Sequence, residues 1–204
     1  MTSALVVIDV QESFRHTPLW DGNSNPDLEA DVNRLVEIAR SRGDLVVWVT
    51  HSEPGSGSPF DPASGLVRLM SGLTAPRPGE PRLTKTAHNA FTTTDLQRRL
   101  TSAGIGDLVV CGIRTEQCCE TTARLAFDLG YTVTFVTEAT ATTPLPHRDA
   151  PVGRSLAEVL ADPATLSTDE IVRRTEYALA GRFARISTIE EVAALGRAPH
   201  LPVS

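Results

Sequence analysis

Short, unbroken apolar runs alternate along this chain with longer stretches of helical spacing. Residues 4–8, ALVVI, are apolar throughout and end at Asp9. That is the pattern of a parallel strand buried on both faces, with a polar residue at its carboxyl end. Val10 to Asn23 reads as a loop carrying Gln11, Phe14, His16 and Trp20. Asn25-Pro26-Asp27 then has the chemistry of a helix start, with Asn25 as N-cap and Pro26 in the first turn. Leu28, Val32, Leu35, Val36 and Ala39 share one helical face, and Gly43 ends it. LVVWVT (45–50) is a second strand, which completes a right-handed βαβ unit.

From 51 to 82 the chain is rich in Pro, Gly and Ser, with one short helical candidate at 66–73. It is too long for a plain connector and reads as a variable loop over the active face. Leu83 to Lys85 is a short strand, and Thr94 caps a helix over 95–102. The run 108–113 is a buried strand, a helix follows from about Cys118 to Gly130, and YTVTFV (131–136) is the next strand. On that helix Glu120, Arg124 and Asp128 form a solvated stripe at i, i+4 spacing. Pro144, Pro146, Pro151 and Pro163 break up a Pro-rich insert at 144–165, a lid or subunit contact with a short helix near 155–161. Ser167 and Glu170 form a capping box for a helix ending at Gly181, and Ser187 with Glu190 caps a last short helix. FARIS (183–187) between them reads as an edge strand. The order implies one α/β domain over 1–204: three layers, αβα, with a doubly wound, mostly parallel six-stranded sheet of Rossmann-like order.

Composition narrows the partners. Hydrophobic content of 41%, charged content of 22% and 204 residues suit a globular protein with a sizeable core. A net charge of −6, with no basic stripe, argues against nucleic acid or an anionic membrane as partner. The three cysteines all lie between Cys111 and Cys119, so a secreted disulfide framework is not expected. With no basic leader and no apolar stretch of spanning length, the cytoplasm is the expected compartment.

Chemistry concentrates at the strand ends. Cys118 falls where the strand 108–113 hands over to a helix, beside free N–H groups and the positive end of the helix dipole. A thiol there is expected to ionise near neutral pH and to act as a nucleophile. The alternative reading is a small buried residue like Cys111 and Cys119. In a doubly wound sheet the ends of strands 4–8 and 108–113 meet at the topological switch point, which would bring Asp9 to Cys118. Asp9 could then accept the thiol proton, and Lys85, between Leu83 and Ala87, is the natural cation to favour the thiolate. An Asp at a strand end can also be a simple turn cap, and a lone Lys a surface charge.

Three blocks carry a resemblance: ALVVIDVQESF (4–14), KTAHNAFTTTDL from Lys85, and CGIRTEQCCETTARLAFDLGYTVTFVTEATAT from Cys111. They resemble the isochorismatase-like cysteine hydrolases, which include nicotinamidases, N-carbamoylsarcosine amidases, ureidoacrylate and biuret hydrolases, and isochorismatases. The resemblance spans about 4–143 and implies a catalytic triad of Asp9, Lys85 and Cys118. It further implies a cis peptide between Ile113 and Arg114 and an oxyanion hole from the Arg114 and Cys118 N–H groups. It also implies a homo-oligomer, dimer or tetramer.

Departures from the family pattern narrow the activity. Isochorismatases commonly have Gly in place of the nucleophile, and this chain has Cys118. Nicotinamidases carry Asp-x-His after the second strand to hold a metal, and His51-Ser52-Glu53 stands there instead, so no metal and no cofactor are expected. His51 reads as a pocket wall, a hydrogen-bond donor or a plain loop residue. Gln11, Phe14, Trp20, Asn89 and Gln117 fall beside the three blocks and would line the crevice with His51, core or lid packing being the other reading. The resulting expectation is a metal-independent cysteine hydrolase cleaving the C–N bond of a small amide or carbamoyl/ureido substrate through a thioester. The alternatives are vinyl ether hydrolysis of the isochorismatase type and a catalytically idle binding or scaffold protein of the same fold.

Overall fold

A computed structural model of the protein describes residues 3–195, so the ends of the 1–204 domain lie outside the described residues. Six strands form one sheet: β1 (Ser3–Ile8), β2 (Leu45–His51), β3 (Arg82–Lys85), β4 (Asp107–Ile113), β5 (Thr132–Ala141) and β6 (Arg185–Ile186). Their order is β3-β2-β1-β4-β5-β6, and every pairing is parallel. The mostly parallel sheet expected from the sequence is therefore parallel throughout. Its order reverses between β1 and β4, so the ends of these two strands open a crevice.

The helices are α1 (Leu28–Arg42), α2 (Leu96–Ser102), α3 (Glu120–Asp128), α4 (Leu156–Leu160), α5 (Thr168–Leu179) and α6 (Ile189–Leu195). Burial follows the apolar runs. One core packs Ala4, Val6, Ile8, Val47 and Val49 against Leu96, Leu100, Ala123 and Ala126. The other packs Leu5, Val7, Val46 and Trp48 against Leu28, Val32, Leu35 and Val36. Alternate residues of the same strands thus feed opposite faces, which is the two-sided burial of a three-layer sandwich.

Local departures from the expected elements have physical causes. Helix α1 begins after Asp27, two residues beyond Asn25, because the Asn25 side-chain oxygen closes a turn on the Asp27 N–H at 3.0 Å. No helix forms at 66–73; Leu69 pairs with Gln11 in an antiparallel bridge instead. The last capping box is shifted by one residue, with Thr188 accepting from the Glu191 N–H at 3.0 Å. Strand β5 runs past 136 to Ala141, and its register against β4 slips between Val110 and Gly112, bulging residues 136–139. Glu120 and Arg124 do pair at 2.8 Å, but Glu120 also accepts from Thr175 on α5, so the stripe is more than a solvated face.

The two variable segments fold onto the β1 end. Loop 51–82 is stitched to the residues after β1 through Glu12 N–H to Arg68, Met70 N–H to Val10 and Ser13 Oγ to Leu66. The insert 144–165 is closed at its base by the Leu145–Leu166 antiparallel bridge, and Leu156 of α4 lies over Gly22.

Candidate active site

Asp9, Lys85 and Cys118 come from three separate elements and meet at the crevice. Asp9 follows β1 with φ 53°, a left-handed kink that Asp tolerates better than most residues and that turns the chain off the strand. Its N–H is held by the Val49 carbonyl at 2.8 Å. Lys85 ends β3, paired with His51 at the end of β2. Cys118 lies in a π-helical turn, Thr115–Cys119, which follows a cis Ile113–Arg114 peptide and leads into α3. The turn can approach β1 because residue 112 is glycine. A Cβ there would stand 1.9 Å from the Ile8 carbonyl oxygen, and its φ of 126° is glycine backbone.

The Lys85 ammonium has three neighbours for its three protons: Asp9 Oδ2 at 2.7 Å, Cys118 Sγ at 3.3 Å and His51 Nδ1 at 3.3 Å. Asp9 and Lys85 are 0% exposed and Cys118 is 6% exposed. Because an ammonium has protons and no lone pair, it donates to His51 Nδ1. The imidazole must then carry its own proton on Nε2, which faces Glu53 Oε1 at 3.4 Å. Burial first, and then the Lys85 charge, push the His51 pKa down, while Asp9 pulls it up.

The carboxylate and the thiol are both harder to ionise than in water. Burial raises Asp9 above the usual carboxylate range, although Lys85 pulls the other way. Asp9 Oδ1 has no hydrogen-bond donor among the described residues. Cys118 is pushed up to about 12, by burial first and then by the Asp9 charge, with Lys85 opposing. The thiol that ionises near neutral pH, expected from the helix terminus, is thus not what the fold provides. Sulfur sits inside a π-helical turn and beside a carboxylate, and desolvation outweighs the helix dipole. Cys119 is raised well above its ordinary value and Cys111 is raised too, both by burial; both are 0% exposed, and Cys118 is the cysteine in contact with the Lys85 ammonium.

The other residues singled out in the sequence divide into framework and wall. Gln11 is fully buried; its amide donates to Ser13 Oγ at 2.8 Å and the His51 carbonyl at 3.0 Å and accepts from the His51 N–H at 2.6 Å. Its polar atoms are spent on holding β2. Asn89 is similar, because its side-chain oxygen accepts from Phe91 N–H, Thr92 N–H and Thr92 Oγ1 and shapes the turn after Lys85. Phe14 and Trp20 are buried in one cluster with ring centroids 6.0 Å apart. Gln117 is half-buried within the π-helical turn.

Three residues that sequence reasoning passed over join them. Phe60, in the loop without periodicity, packs edge-on against Phe14 at 4.9 Å and against His51 at 5.9 Å. Thr143 Oγ1 takes a hydrogen bond from the Arg114 guanidinium. Thr122 donates to the Cys118 carbonyl at 2.6 Å and accepts from the Ala90 N–H at 3.1 Å. Thr122 could have been found, since it lies one helical turn after Cys118 inside the same block; Phe60 and Thr143 carry no signal in spacing. Among the described residues no group of three or more His, Cys, Asp or Glu side chains is placed to hold a metal ion, and no helix is long and apolar enough to cross a membrane.

Comparison with known proteins identifies the family and agrees with the fold. Residues 3–176 match the isochorismatase domain family. The chain is similar to a streptothricin hydrolase of Streptomyces noursei, 33% identical over 86% of this chain and 64% of that protein. It is also similar to nicotinamidase 3 of Arabidopsis thaliana, 48% identical over 69% of this chain and 73% of that protein. Among solved structures, an isochorismatase from Pseudomonas putida KT2440 superposes with a TM-score of 0.78 at 29% identity, covering 93% of this chain and 89% of that one.

Proposed function

Because the chain belongs to the isochorismatase domain family and is similar to a streptothricin hydrolase and a nicotinamidase, we propose that it hydrolyses the C–N bond of a small amide or carbamoyl/ureido compound through a thioester on Cys118. One observation carries this reading: a single buried ammonium, Lys85 Nζ, lies 2.7 Å from the Asp9 carboxylate and 3.3 Å from the Cys118 sulfur. A base, a nucleophile and the cation that stabilises both charged forms are what acyl transfer to sulfur requires.

In this mechanism Asp9 takes the Cys118 proton as sulfur attacks the carbonyl carbon. A C–S bond forms and the carbonyl electron pair moves to oxygen. The Arg114 and Cys118 N–H groups receive that oxyanion. As it collapses, the C–N bond breaks and the amine leaves with the proton from Asp9. Asp9 then takes a proton from water, the hydroxide attacks the thioester, and the departing Cys118 thiolate recovers the proton. A raised Asp9 pKa suits this task, because it makes the carboxylate a stronger base and a competent acid in turn. The ammonium spans both partners in every protonation state, and His51 fixes its third proton.

The test is ammonia release from a panel of small amides and carbamoyl and ureido compounds, with mass spectrometry of the quenched protein. A substrate of the wild type should leave an acyl adduct on the peptide containing Cys118. Cys118→Ala should lose turnover by a factor of about 10³ or more, with the fold unchanged by circular dichroism. Full turnover by Cys118→Ala would end the thioester route and favour ether hydrolysis without a nucleophile, for which isochorismate is the substrate to try.

A further inference from the structure

Arg114 has no carboxylate within 4.0 Å of its guanidinium among the described residues, although the chain pairs most of its other buried arginines. Its one side-chain partner is a neutral hydroxyl, Thr143 Oγ1, and its guanidinium carbon lies 5.8 Å from the centre of the Phe14 ring. Glu116, two residues on, faces a different cavity, lined by Glu120, Arg124 and Arg174, and its own oxygens have no hydrogen-bond partner. Burial lowers the Arg114 pKa, while the Glu116 and Cys118 charges oppose this, so the guanidinium is partly desolvated yet close enough to the reactive sulfur to feel it. Contacts link Lys85 to His51, His51 to Phe60, Phe60 to Phe14, and Phe14 to Arg114, a series whose two end residues both lie near Cys118. Of the two cations in that series, Lys85 is already paired with Asp9 and Arg114 is not paired with a carboxylate among the described residues.

A half-buried guanidinium with no carboxylate bonded to it is incompletely compensated until a ligand supplies the anion, and its planar fork suits a carboxylate. We infer that Arg114 is the anion anchor of this site, and that the substrate is a small amide or ureide carrying a carboxylate. The inference rests on the hydrolase reading for the reaction but not for the binding site. The aromatic wall of Phe14 and Phe60 would cover the carbon skeleton between the carboxylate and the scissile carbonyl. Thr143 holds the fork in place without spending its charge.

Two reagents of nearly equal size test this without knowledge of the substrate. Iodoacetate and iodoacetamide each place a carbon on sulfur and expel iodide, and they differ by a carboxylate against a neutral amide. The rate of modification of the Cys118 peptide, followed by mass spectrometry, is compared with that of glutathione under the same conditions. The ratio of iodoacetate to iodoacetamide rates should exceed the glutathione ratio by about 10-fold to 100-fold, as expected for a charge-assisted pair. Arg114→Gln should bring the ratio down to that of glutathione, the two reagents being compared within each variant so that a change in the sulfur's own reactivity cancels, and Arg114→Lys should restore part of it. Acetate or succinate should protect wild type, and not Arg114→Gln, against iodoacetamide. A ratio equal to that of glutathione and unmoved in Arg114→Gln would overturn the anchor and leave the hydrolase reading standing. A Cys118 that reacts with neither reagent even at high pH, where its thiolate forms, would remove the hydrolase reading and, with no site open to a small acid, the anchor with it.

Discussion

Removing Lys85 tests whether the buried ion cluster is one coupled unit. Lys85→Met keeps much of the side-chain volume and leaves Asp9, 0% exposed and with no hydrogen-bond donor on Oδ1, as an uncompensated buried carboxylate. Breaking a buried pair from one side costs about 3–5 kcal/mol, whereas replacing both partners by neutral groups is often close to neutral. Lys85→Met should therefore lose about 3–5 kcal/mol, and Asp9→Asn/Lys85→Met should recover at least about 2 kcal/mol of it. The loss also depends on pH. Burial holds the Asp9 pKa above its unfolded value even with Lys85 in place, and removing the ammonium raises it further. A folded pKa above the unfolded one means the folded state binds the proton more tightly. Stability is then retained below the unfolded value, about 3.9, and lost as pH rises through the folded pKa. Lys85→Met should lie closest to wild type near pH 4–5 and furthest from it near pH 8. Urea unfolding followed by the fluorescence of Trp20 and Trp48, both buried, reads each corner of the cycle. Additive single substitutions, together with a Lys85→Met deficit independent of pH, would refute the coupling.

Other expectations follow from the same geometry. Iodoacetamide should modify Cys118 slowly near pH 7 and faster as pH climbs toward about 12. In Asp9→Asn the titration should move down, because the negative charge beside the sulfur is gone, and mass spectrometry of the Cys118 peptide reads both curves. Gly112→Ala should cost about 3 kcal/mol or more by urea unfolding, since its Cβ would meet the Ile8 carbonyl oxygen at 1.9 Å on a backbone with φ 126°. His51→Leu preserves an apolar wall but leaves the third Lys85 proton without an acceptor; kcat should fall about tenfold, with a smaller change in KM. On the acid side, kcat/KM should decline as pH falls through the raised Asp9 pKa, because the base must be ionised to take the thiol proton.

The sheet was legible because its strands are buried on both faces, and ALVVI, LVVWVT and LVVC carry that burial as unbroken apolar runs. Their alternation with helical spacing leaves few topologies once right-handed crossovers are required. What escaped was set by contacts distant in sequence. No local rule says that Leu69 will pair with Gln11 in place of a helical turn, because the competing bonds come from 58 residues upstream. Strand β5 outran its apolar pattern because Thr140 and Ala141 pair with Gly112 and Ile113 beyond the bulge. Gln11 and Asn89 look like pocket residues in sequence because they flank the reactive blocks. The Gln11 amide turns out to be engaged with β2 and Ser13, and the Asn89 side-chain oxygen with the turn after Lys85.

The reversed ionisation of Cys118 has a consequence for how such a site can work. A helix terminus favours thiolate, and sequence position alone suggested that it would prevail. The structure leaves Cys118 6% exposed with Asp9 as well as Lys85 beside it; burial raises the thiol most, the Asp9 charge adds to it, and Lys85 opposes both. A resting thiol is consistent with Asp9 as general base, because a sulfur already ionised would leave the carboxylate nothing to accept. It also keeps the negative charge on Asp9, next to Lys85, until a carbonyl is present to receive the sulfur. Proton transfer and C–S bond formation would then occur together, and the charge would pass to an oxygen facing N–H donors and not remain on a buried sulfur. Such a cysteine should resist oxidation by dilute peroxide at neutral pH, since peroxide also requires the thiolate. Rapid sulfenic acid formation on Cys118 in the ligand-free protein, at a rate typical of low-pKa thiols, would refute that order of events.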